Sequence, residues 1–251
     1  MEEMCPYCQG TGFEAVEGKE GAPAGVKRCR CRAQKEIERL SEGSRIPGRF
    51  SHCRMDTFNV YTEHRGNKVI NPSLSVAFEH CRKFIEKYPD VKRGFCFMGP
   101  PGVGKTHLAV AVLKELVAQK GAAILFYDFQ ELLFGLRASF DEDSELSQQQ
   151  VFSPVLEAEV LLLDDLGASR VTGWRRDMLG YVITARYNSR KTTFFTTSRL
   201  DNPAGAEDSL EDRIGARHRS RISEMCVVCH LEGKDFRKKE EKMIAASGRR
   251  A

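Results

Sequence analysis

The sequence predicts an α/β fold in which helices cover both faces of a parallel sheet, and three observations support this fold class. The chain has 251 residues, 41% hydrophobic and 29% charged, which is enough for one large core and a small additional module. Short apolar stretches alternate with longer stretches of helical periodicity, and strands that are apolar on both faces are typical of a buried parallel sheet. A glycine-rich turn joins the first of these strands to a helix.

The predicted elements alternate along the chain from residue 71 onward. A helix begins at Asn71, a polar cap followed by proline, and ends before Pro89. After it come strands at 95–98, 122–127, 160–164, 192–197 and 225–231, and helices at 106–119, 129–140 and 174–188. The polar segment 141–150 is predicted to be an exposed loop.

The composition changes along the chain and indicates four parts. Residues 1–44 form a small module, in which residues 1–32 hold four cysteines and little apolar material and residues 33–40 form a charged amphipathic stretch. A segment at 41–57 is rich in glycine, serine and arginine, which indicates a linker, and we extend this linker over residues 45–70. Residues 71–240 form the main α/β domain, and residues 241–251 form a basic flexible tail.

Several functional classes are excluded by composition. No apolar run approaches the roughly 18 residues of a spanning helix, and the amino terminus lacks a basic region followed by an apolar stretch, so we expect a cytoplasmic protein without membrane segments. Nine cysteines in a reducing compartment favour metal ligation and free thiols. The net charge is +4, and residues 213–250 hold eleven Lys or Arg against five Asp or Glu. That excess indicates either a nucleic-acid surface or a solvated basic helix and tail.

The glycine-rich turn matches the phosphate-binding pattern G-x-x-x-x-G-K-[ST] between a strand and a helix. Glycines let backbone N–H groups point at phosphate, and the helix N-terminus adds partial positive charge. We assign nucleotide contact to nine consecutive residues: Gly99, Pro100, Pro101, Gly102, Val103, Gly104, Lys105, Thr106 and His107. Lys105 would reach the β and γ phosphates of ATP, and Thr106 would help hold Mg²⁺.

A second motif follows the strand at 160–164, which ends in the acidic pair Asp164 and Asp165. The carboxyl ends of parallel strands lie at one edge of a sheet, so this pair is expected near the phosphate turn. We expect Asp164 to coordinate Mg²⁺ and Asp165 to polarise the attacking water. The two motifs together predict an ATPase that uses Mg²⁺.

The order of the motifs narrows the class of ATPase. One predicted strand lies between the two motifs and another follows the second, an order that differs from the simpler kinases and GTPases. The last strand ends in Thr196, Thr197 and Ser198, which places a polar group near the γ phosphate. This arrangement resembles the AAA+ ATPases.

Further motifs resemble the bacterial replicative-helicase loaders of the DnaC/DnaI type and their relative, the IstB transposition helper. They are Asp-Asp-Leu-Gly at 164–167, the segment 196–200, Arg-His-Arg-Ser-Arg-Ile at 217–222 and Gly-Lys-Asp-Phe-Arg at 233–237. The resemblance covers about residues 45–240. It implies a protein that uses ATP to place a replicative DNA helicase on single-stranded DNA, and that forms a homo-oligomer with ATP and this partner.

The resemblance also implies roles for three arginines. In such proteins an arginine of the Arg-x-x-x-Arg helix reaches the γ phosphate of the neighbouring subunit; this maps to Arg221 here, with Arg217 as second choice. Arg237, which follows Gly-x-x-Phe, would sense nucleotide in its own subunit. Without the resemblance, these arginines would be interpreted as surface charges of a basic helix.

Two positions depart from the family pattern. The sensor strand commonly closes with Asn, and Ser198 takes that place here. Asp165 stands where many AAA+ enzymes carry Glu, which is one methylene longer. We therefore expect slow intrinsic hydrolysis, stimulated by the partner or by DNA.

Four cysteines in the first module have the spacing of a structural zinc site. C-x₂-C and C-x-C pairs, separated by a twenty-residue spacer, supply four thiolates: Cys5, Cys8, Cys29 and Cys31. With all four positions filled by cysteine, catalysis at this zinc is not expected. The module would either bind the helicase or DNA, or serve only to hold the fold together.

A second cysteine motif has the pattern of haem attachment, but we predict that it does not bind haem. Cys226, Cys229 and His230 spell the C-x-x-C-H of c-type haem attachment, but they lie in a predicted apolar strand, so we interpret the cysteines as core residues. Isolated Cys53, Cys81 and Cys96 are also predicted to be structural.

Three other functions remain open at this point. The chain could be an IstB-like transposition helper that assembles on duplex DNA, although the amino-terminal cysteine cluster favours the loader. It could be a zinc-containing DNA-binding module whose nucleotide site only regulates binding. A haem protein is the fourth possibility and would require Soret absorbance. The stretch 50–58 is expected to supply adenine contacts.

Overall fold

The computed structural model describes residues 5–9, 11, 13–16, 25–29, 31, 39–64, 67–139, 147–168, 173–202 and 208–237. Most of the charged stretch at 33–40, most of the predicted loop at 141–150 and the predicted tail at 241–251 lie outside these residues. Among the described residues, no helix combines the length and apolarity that crossing a membrane requires.

A five-stranded parallel sheet forms the centre of the molecule, and two short antiparallel hairpins precede it. The strands in chain order are β1 (Phe13–Val16), β2 (Gly25–Arg28), β3 (Tyr61–His64), β4 (Asn67–Ile70), β5 (Gly94–Met98), β6 (Ile124–Asp128), β7 (Val160–Asp164), β8 (Thr192–Thr197) and β9 (Cys226–His230). The hairpins are β1–β2 and β3–β4, and the sheet order is β6–β7–β8–β5–β9. Because β5 lies between β8 and β9, the strand order reverses beside it, and such switch points form binding crevices at the carboxyl ends of strands.

Seven helices with described bounds surround the sheet, and residues 39–43 are also helical. They are α1 (Pro72–Lys87), α2 (Lys105–Lys120), α3 (Phe129–Ala138), α4 (Gln148–Glu157), α5 (Trp174–Asn188), α6 (Leu210–Ile214) and α7 (Ala216–Met225). Helices α1 and α2 pack on one face and α3 to α7 on the other. Successive strand residues point to opposite faces, so Phe194 joins the first core and Phe195 the second. The predicted α/β class with a parallel sheet covered on both faces is confirmed.

Most predicted boundaries agree with the structure. Strands β7 and β8 and helix α5 have the predicted bounds, and the other predicted strands differ by one or two residues at their ends. Helix α1 begins as expected, because the Asn71 side chain accepts hydrogen bonds from Ser73 N at 3.1 Å and Leu74 N at 3.3 Å.

The loop prediction for 141–150 was wrong at its carboxyl end, because α4 begins at Gln148. Ser147 forms a capping box with Gln150: the Ser147 hydroxyl accepts from Gln150 N at 3.2 Å, and Gln150 Oε1 accepts from Ser147 N at 2.8 Å. Pro154 lies inside the helix, and the polar first turn lacks an apolar stripe, so periodicity did not indicate a helix. Helix α4 is stabilised by contacts with residues that are distant in the sequence.

Buried Arg186 of α5 holds the end of α4. Its guanidinium donates to Val155 O and Ala158 O, each at 2.9 Å, and to Thr193 Oγ1 at 2.9 Å. Burial lowers the pKa of Arg186 to about 10. One side chain therefore satisfies the last carbonyls of α4 and ties them to α5 and β8.

The segment predicted as a linker is packed against the core. A 3₁₀ helix spans Gly48–Phe50, and Ser44 O accepts a hydrogen bond from Phe126 N of edge strand β6 at 2.7 Å. Arg45 lies 4.8 Å from the centre of the Tyr127 ring and donates to its hydroxyl, and Phe50 lies 5.8 Å from Phe126. We call residues 44–50 the edge strap, because they cover β6.

Candidate functional site

The phosphate turn lies between β5 and the 16-residue helix α2, at the switch point of the sheet. Gly104 precedes the helix with a φ of 102°, and no side chain caps the helix. The first N–H groups of α2 therefore face the turn without a side-chain acceptor at the cap position, which suits an anion. The turn predicted from the sequence has the strand-turn-helix context that its pattern requires.

Lys105 is buried within the turn. Its ammonium donates to Gly99 O and Pro100 O, both at 2.8 Å, and only 8% of the residue is exposed. Burial lowers the pKa of Lys105 to about 8, and the neighbouring Asp165 and Asp164 oppose this shift. The cation is therefore held where phosphate oxygens could replace the two carbonyls.

The predicted magnesium ligands Thr106 and Asp164 are brought together. The Thr106 hydroxyl donates to Asp164 Oδ1 at 2.8 Å, and the Thr196 hydroxyl donates to the same oxygen at 2.5 Å. Burial raises the pKa of Asp164, and both hydroxyls oppose that shift. A hydroxyl and a carboxylate at this spacing form the hard oxygen donor set that Mg²⁺ prefers.

Asp165 lies directly after β7 with a φ of 55°, which is unusual for a residue other than glycine. Its amide donates to Thr196 Oγ1 at 2.9 Å. Burial and Asp128 raise the pKa of Asp165, whereas the positive charges of Lys105, Arg199 and Arg237 lower it. The carboxyl group thus lies within electrostatic reach of the phosphate turn.

Sequence reasoning assigned the sensor position to Ser198, but Thr196 makes the contacts to the acidic pair. Ser198 follows β8 and is half-buried. Thr196 bonds Asp164 and the amide of Asp165 because β7 and β8 are paired with Leu163 opposite Phe195. Finding Thr196 required this register, which the sequence alone did not supply.

The segment that contains Arg237 lies against the phosphate turn of the same chain. Phe236 N donates to Gly102 O at 3.1 Å. Gly102 has a φ of 77°, and a Cβ there would lie 1.7 Å from Asp235 Oδ1. Arg237 is exposed and lowers the pKa of Asp165 electrostatically. The predicted proximity of Arg237 to the turn in its own subunit agrees with this geometry.

The two arginines proposed to act between subunits lie on α7. Arg221 is half-buried, donates to Thr184 Oγ1 of α5 and lies 5.7 Å from the centre of the Tyr187 ring. Arg217 is exposed one turn earlier. Arg219, which was not singled out, is buried and donates to both carboxylate oxygens of Asp201 at 2.5 Å. It ties α7 to the loop after β8.

The stretch expected to contact adenine lies beside the turn. Phe58 Cε2 would lie 3.0 Å from a Cβ at Gly104, and its ring centre lies 5.6 Å from that of His107. His107 Nε2 is 3.2 Å from both Arg54 O and Thr57 Oγ1. Residues 54–58 therefore form a wall next to the first turn of α2.

The four amino-terminal cysteines converge. Their sulfur atoms all lie within 4.8 Å of one another, with Cys5 Sγ 3.8 Å from Cys29 Sγ and Cys8 Sγ 3.3 Å from Cys31 Sγ. Zn–S bonds of about 2.3 Å in a tetrahedron place sulfurs at about this separation. The donor set and spacing therefore fit zinc.

The cysteines of the haem-like motif are core residues, as predicted. Cys226 is 0% and Cys229 6% exposed, and Cys226 Sγ donates to Thr193 O at 3.2 Å. Burial raises the pKa of both thiols. Cys81 and Cys96 are buried as well.

Comparison with known proteins places the chain in a family. Residues 80–243 match the family described as IstB-like ATP binding protein. A crystal structure of the DnaC helicase loader is 32% identical, with a TM-score of 0.62, over 74% of this chain and 99% of that one. A crystal structure of DnaI is 21% identical, with a TM-score of 0.60, over 78% of this chain and 98% of that one, and shows the same fold.

Two relatives known from sequence are also similar to the chain. The uncharacterized protein YqaM of Bacillus subtilis is 26% identical over 194 residues, 75% of this chain and 59% of YqaM. The replicative helicase loader DnaC of Escherichia coli K12 is 23% identical over 163 residues, 65% of this chain and 62% of that protein. The match thus spans about three fifths of the length of these two relatives. The family match, and the 32% identity to a DnaC structure over 99% of that chain, show that this chain belongs to the IstB-like ATP-binding proteins, together with the DnaC-type helicase loaders.

Proposed function

We propose that this chain is an AAA+ ATPase that loads a replicative DNA helicase onto single-stranded DNA. The main support for this proposal is the phosphate turn, in which the Thr106 hydroxyl lies 2.8 Å from Asp164 Oδ1. This turn occurs in a chain that is 32% identical to the DnaC helicase loader. The family supports ATP binding. Hydrolysis, helicase binding and DNA binding are parts of the proposal.

In this proposal the turn from Gly99 to Gly104 and the start of α2 hold the phosphates of ATP. Lys105 leaves its two carbonyl acceptors and pairs with the β and γ phosphates. Thr106 and Asp164 hold Mg²⁺, which would neutralise negative charge on the phosphate oxygens. Asp165 orients water, and the nearby cations favour its ionised form.

Arg221 is proposed to act on the nucleotide of a neighbouring copy. Thr184 and Tyr187 fix its guanidinium on the surface between α5 and α7, which reduces the entropy lost when it meets a phosphate. Arg217 is the second candidate because it is exposed on the same helix. Arg237 would report nucleotide within its own subunit, since its segment lies against Gly102.

The cysteine cluster is proposed to hold a structural zinc through Cys5, Cys8, Cys29 and Cys31. The hairpin β1–β2 between the two pairs exposes Phe13 and Val26, so the module offers an apolar surface to a partner. Helicase or DNA binding through this module competes with a purely structural role. A folded Cys5→Ser/Cys8→Ser variant that keeps full helicase and DNA binding would exclude the first role.

The test of the loader function is size-exclusion chromatography with mass detection. The protein is mixed with the replicative helicase of its host in ATP and in ADP. A stoichiometric complex that depends on nucleotide supports the loader. Absence of a complex in both states, together with ATP-dependent filaments on duplex DNA, would instead support a transposition helper, which the IstB-like family match also allows.

The action of Arg221 between subunits can be tested by complementation. The Arg221→Ala protein should lose ATP turnover in the assembled state because no subunit supplies the arginine. The Lys105→Ala protein should lose it because no subunit has a competent nucleotide site. Mixing them should restore activity, because a Lys105→Ala subunit can donate Arg221 to an intact neighbouring site. Arg82→Ala is the control, since exposed Arg82 lies on α1 across the sheet. Failure to restore turnover would move the assignment to Arg217.

A further inference from the structure

A second group of metal-ligating side chains lies beside the nucleotide site, and it shares no residue with the cysteine cluster. His52, Cys53 and His107 each offer one ligand atom, and the three atoms lie within 4.8 Å of one another. His52 and Cys53 follow the edge strap, whereas His107 lies on the first turn of α2, next to Thr106. Residues 54 positions apart in the chain thus converge on one point.

The chemistry of these donors is selective. One thiolate and two imidazoles form a borderline-soft set, which suits Zn²⁺ and disfavours Mg²⁺ and Ca²⁺. Three protein ligands leave a fourth position of a tetrahedral ion for water. The set therefore differs from the closed four-cysteine cluster in both charge and coordination.

Surrounding contacts already hold the ligands in place. Cys53 is 1% exposed, and its amide donates to Phe50 O at 3.1 Å. Lys114 is fixed by hydrogen bonds to Phe50 O at 2.7 Å and Ser51 O at 2.8 Å. The Lys114 side chain thus holds the backbone on both sides of the turn that leads into Cys53.

The histidine rings are also oriented. The His107 ring lies edge-to-face with His52 at 5.7 Å between centres and with Phe58 at 5.6 Å. His107 Nε2 also lies 3.2 Å from Arg54 O and from Thr57 Oγ1. The nearby Arg54 charge is paired with Asp56. His52 is exposed and gives an ion access from solvent.

We propose that His52, Cys53 and His107 form a second, three-ligand zinc site that joins the loop after the edge strap to the first turn of α2. Metal binding there fixes the wall formed by residues 54–58 against the helix that carries Thr106. The site is separate from the amino-terminal cluster and does not depend on the loader function.

The test uses full-length Cys5→Ser/Cys8→Ser protein, in which the amino-terminal cluster is disabled. Equilibrium dialysis against Zn²⁺ followed by elemental analysis should give one bound equivalent. Co²⁺ in its place should give visible bands of a tetrahedral ion with a single thiolate. Adding His52→Ala or Cys53→Ala should weaken binding about tenfold or more, since each removes one of three ligands.

Two control variants match these changes. His80→Ala removes an exposed histidine on α1, and Cys81→Ala removes a buried thiol; both should retain the bound equivalent. Because His52 is exposed, His52→Ala should keep the fold, and thermal melting checks this. No zinc uptake by the Cys5→Ser/Cys8→Ser protein, or uptake and a Co²⁺ spectrum unchanged by His52→Ala, would overturn the proposal.

Discussion

Thr196 is the residue on which the acidic pair of the nucleotide site depends. Its hydroxyl donates to Asp164 Oδ1 at 2.5 Å and accepts from the amide of Asp165 at 2.9 Å. Its carbonyl accepts from Leu166 N at 2.8 Å. A single threonine therefore fixes three successive residues, including Asp165 with its positive φ.

Thr196→Val should destabilise the site while keeping the side-chain shape. The change leaves the Asp165 amide without its acceptor and removes one donor from Asp164, so the free energy of unfolding should fall by about 1–3 kcal/mol. ATP turnover should fall as well, because Asp165 loses its fixed position. Urea denaturation and steady-state hydrolysis measure the two effects.

Thr192→Val provides a control on the same strand. Its hydroxyl donates to Lys92 O at 3.1 Å, at the end of β8 opposite to the nucleotide site. This variant should lose stability with little change in turnover. Equal turnover losses in both variants would contradict a specific role for Thr196.

The pair of Arg219 and Asp201 should make stability depend on pH. Arg219 holds the pKa of Asp201 below its usual range. A carboxyl whose pKa is lowered in the folded state stabilises the fold above its unfolded pKa, near 4, and this contribution is lost as pH falls through the folded pKa. Asp201→Asn should lower the free energy of unfolding by about 2 kcal/mol at pH 7, with a difference from wild type that shrinks below about pH 4.

Urea denaturation between pH 7 and pH 2 tests this pair. Asp56→Asn is the matched control, because Asp56 also pairs with an arginine but the pair is exposed. We expect no measurable loss from that change. A difference between Asp201→Asn and wild type that stays constant down to pH 2 would exclude the ion pair as the cause.

At the scale of elements, the segment 233–237 forms one wall of the phosphate turn. Phe236 and Asp235 both contact Gly102, so we expect a shift of the turn to displace the Arg237 segment. This coupling connects nucleotide binding to the end of the chain that follows β9.

Gly102→Ala should displace this wall. The new Cβ would overlap Asp235, so the Arg237 segment must shift, and ATP affinity should fall about tenfold or more, as expected for a displaced binding group. Gly121→Ala carries the same kind of backbone strain, with a φ of 63°, but meets no atom within 4 Å. Isothermal titration calorimetry should show wild-type affinity for Gly121→Ala. An unchanged ATP affinity in Gly102→Ala would show that the position of the Arg237 segment does not affect nucleotide binding.

The elements that were predicted correctly are those that are determined by residues close together in the sequence. The apolar strands, the cap at Asn71 and the phosphate turn each carry their signal within a few residues. Helix α4 and the edge strap do not, because Arg186 and Phe126, distant in the chain, hold them in place. The contact of Thr196 with Asp164 was not predicted for the same reason, since strand register brings the two residues together.

On the scale of the whole molecule, two structural units have different sources of stability. The sheet between α1 and α7 has an apolar core on each face. The hairpin β1–β2 has four residues per strand and lies in the segment that contains the four-cysteine cluster. An isolated two-stranded hairpin is marginal in water.

Removing two cysteines of the amino-terminal cluster should therefore affect one unit only. In Cys5→Ser/Cys8→Ser protein, amide hydrogen exchange in β1 and β2 should become fast, while exchange in β7 and the main calorimetric transition stay unchanged. The comparison protein is wild type loaded with zinc. A main transition lowered by several degrees would show that the cysteine cluster also supports the sheet.

The edge strap covers an edge strand that could otherwise promote aggregation. Strand β6 ends the sheet, and the Ser44 carbonyl occupies a hydrogen-bonding position of its edge through Phe126. An uncovered edge strand is a template for pairing with another chain. A fragment that begins at residue 51 would keep the phosphate turn, yet would present β6 to its neighbours. Removal of the edge strap should therefore favour edge-to-edge pairing between copies of the sheet.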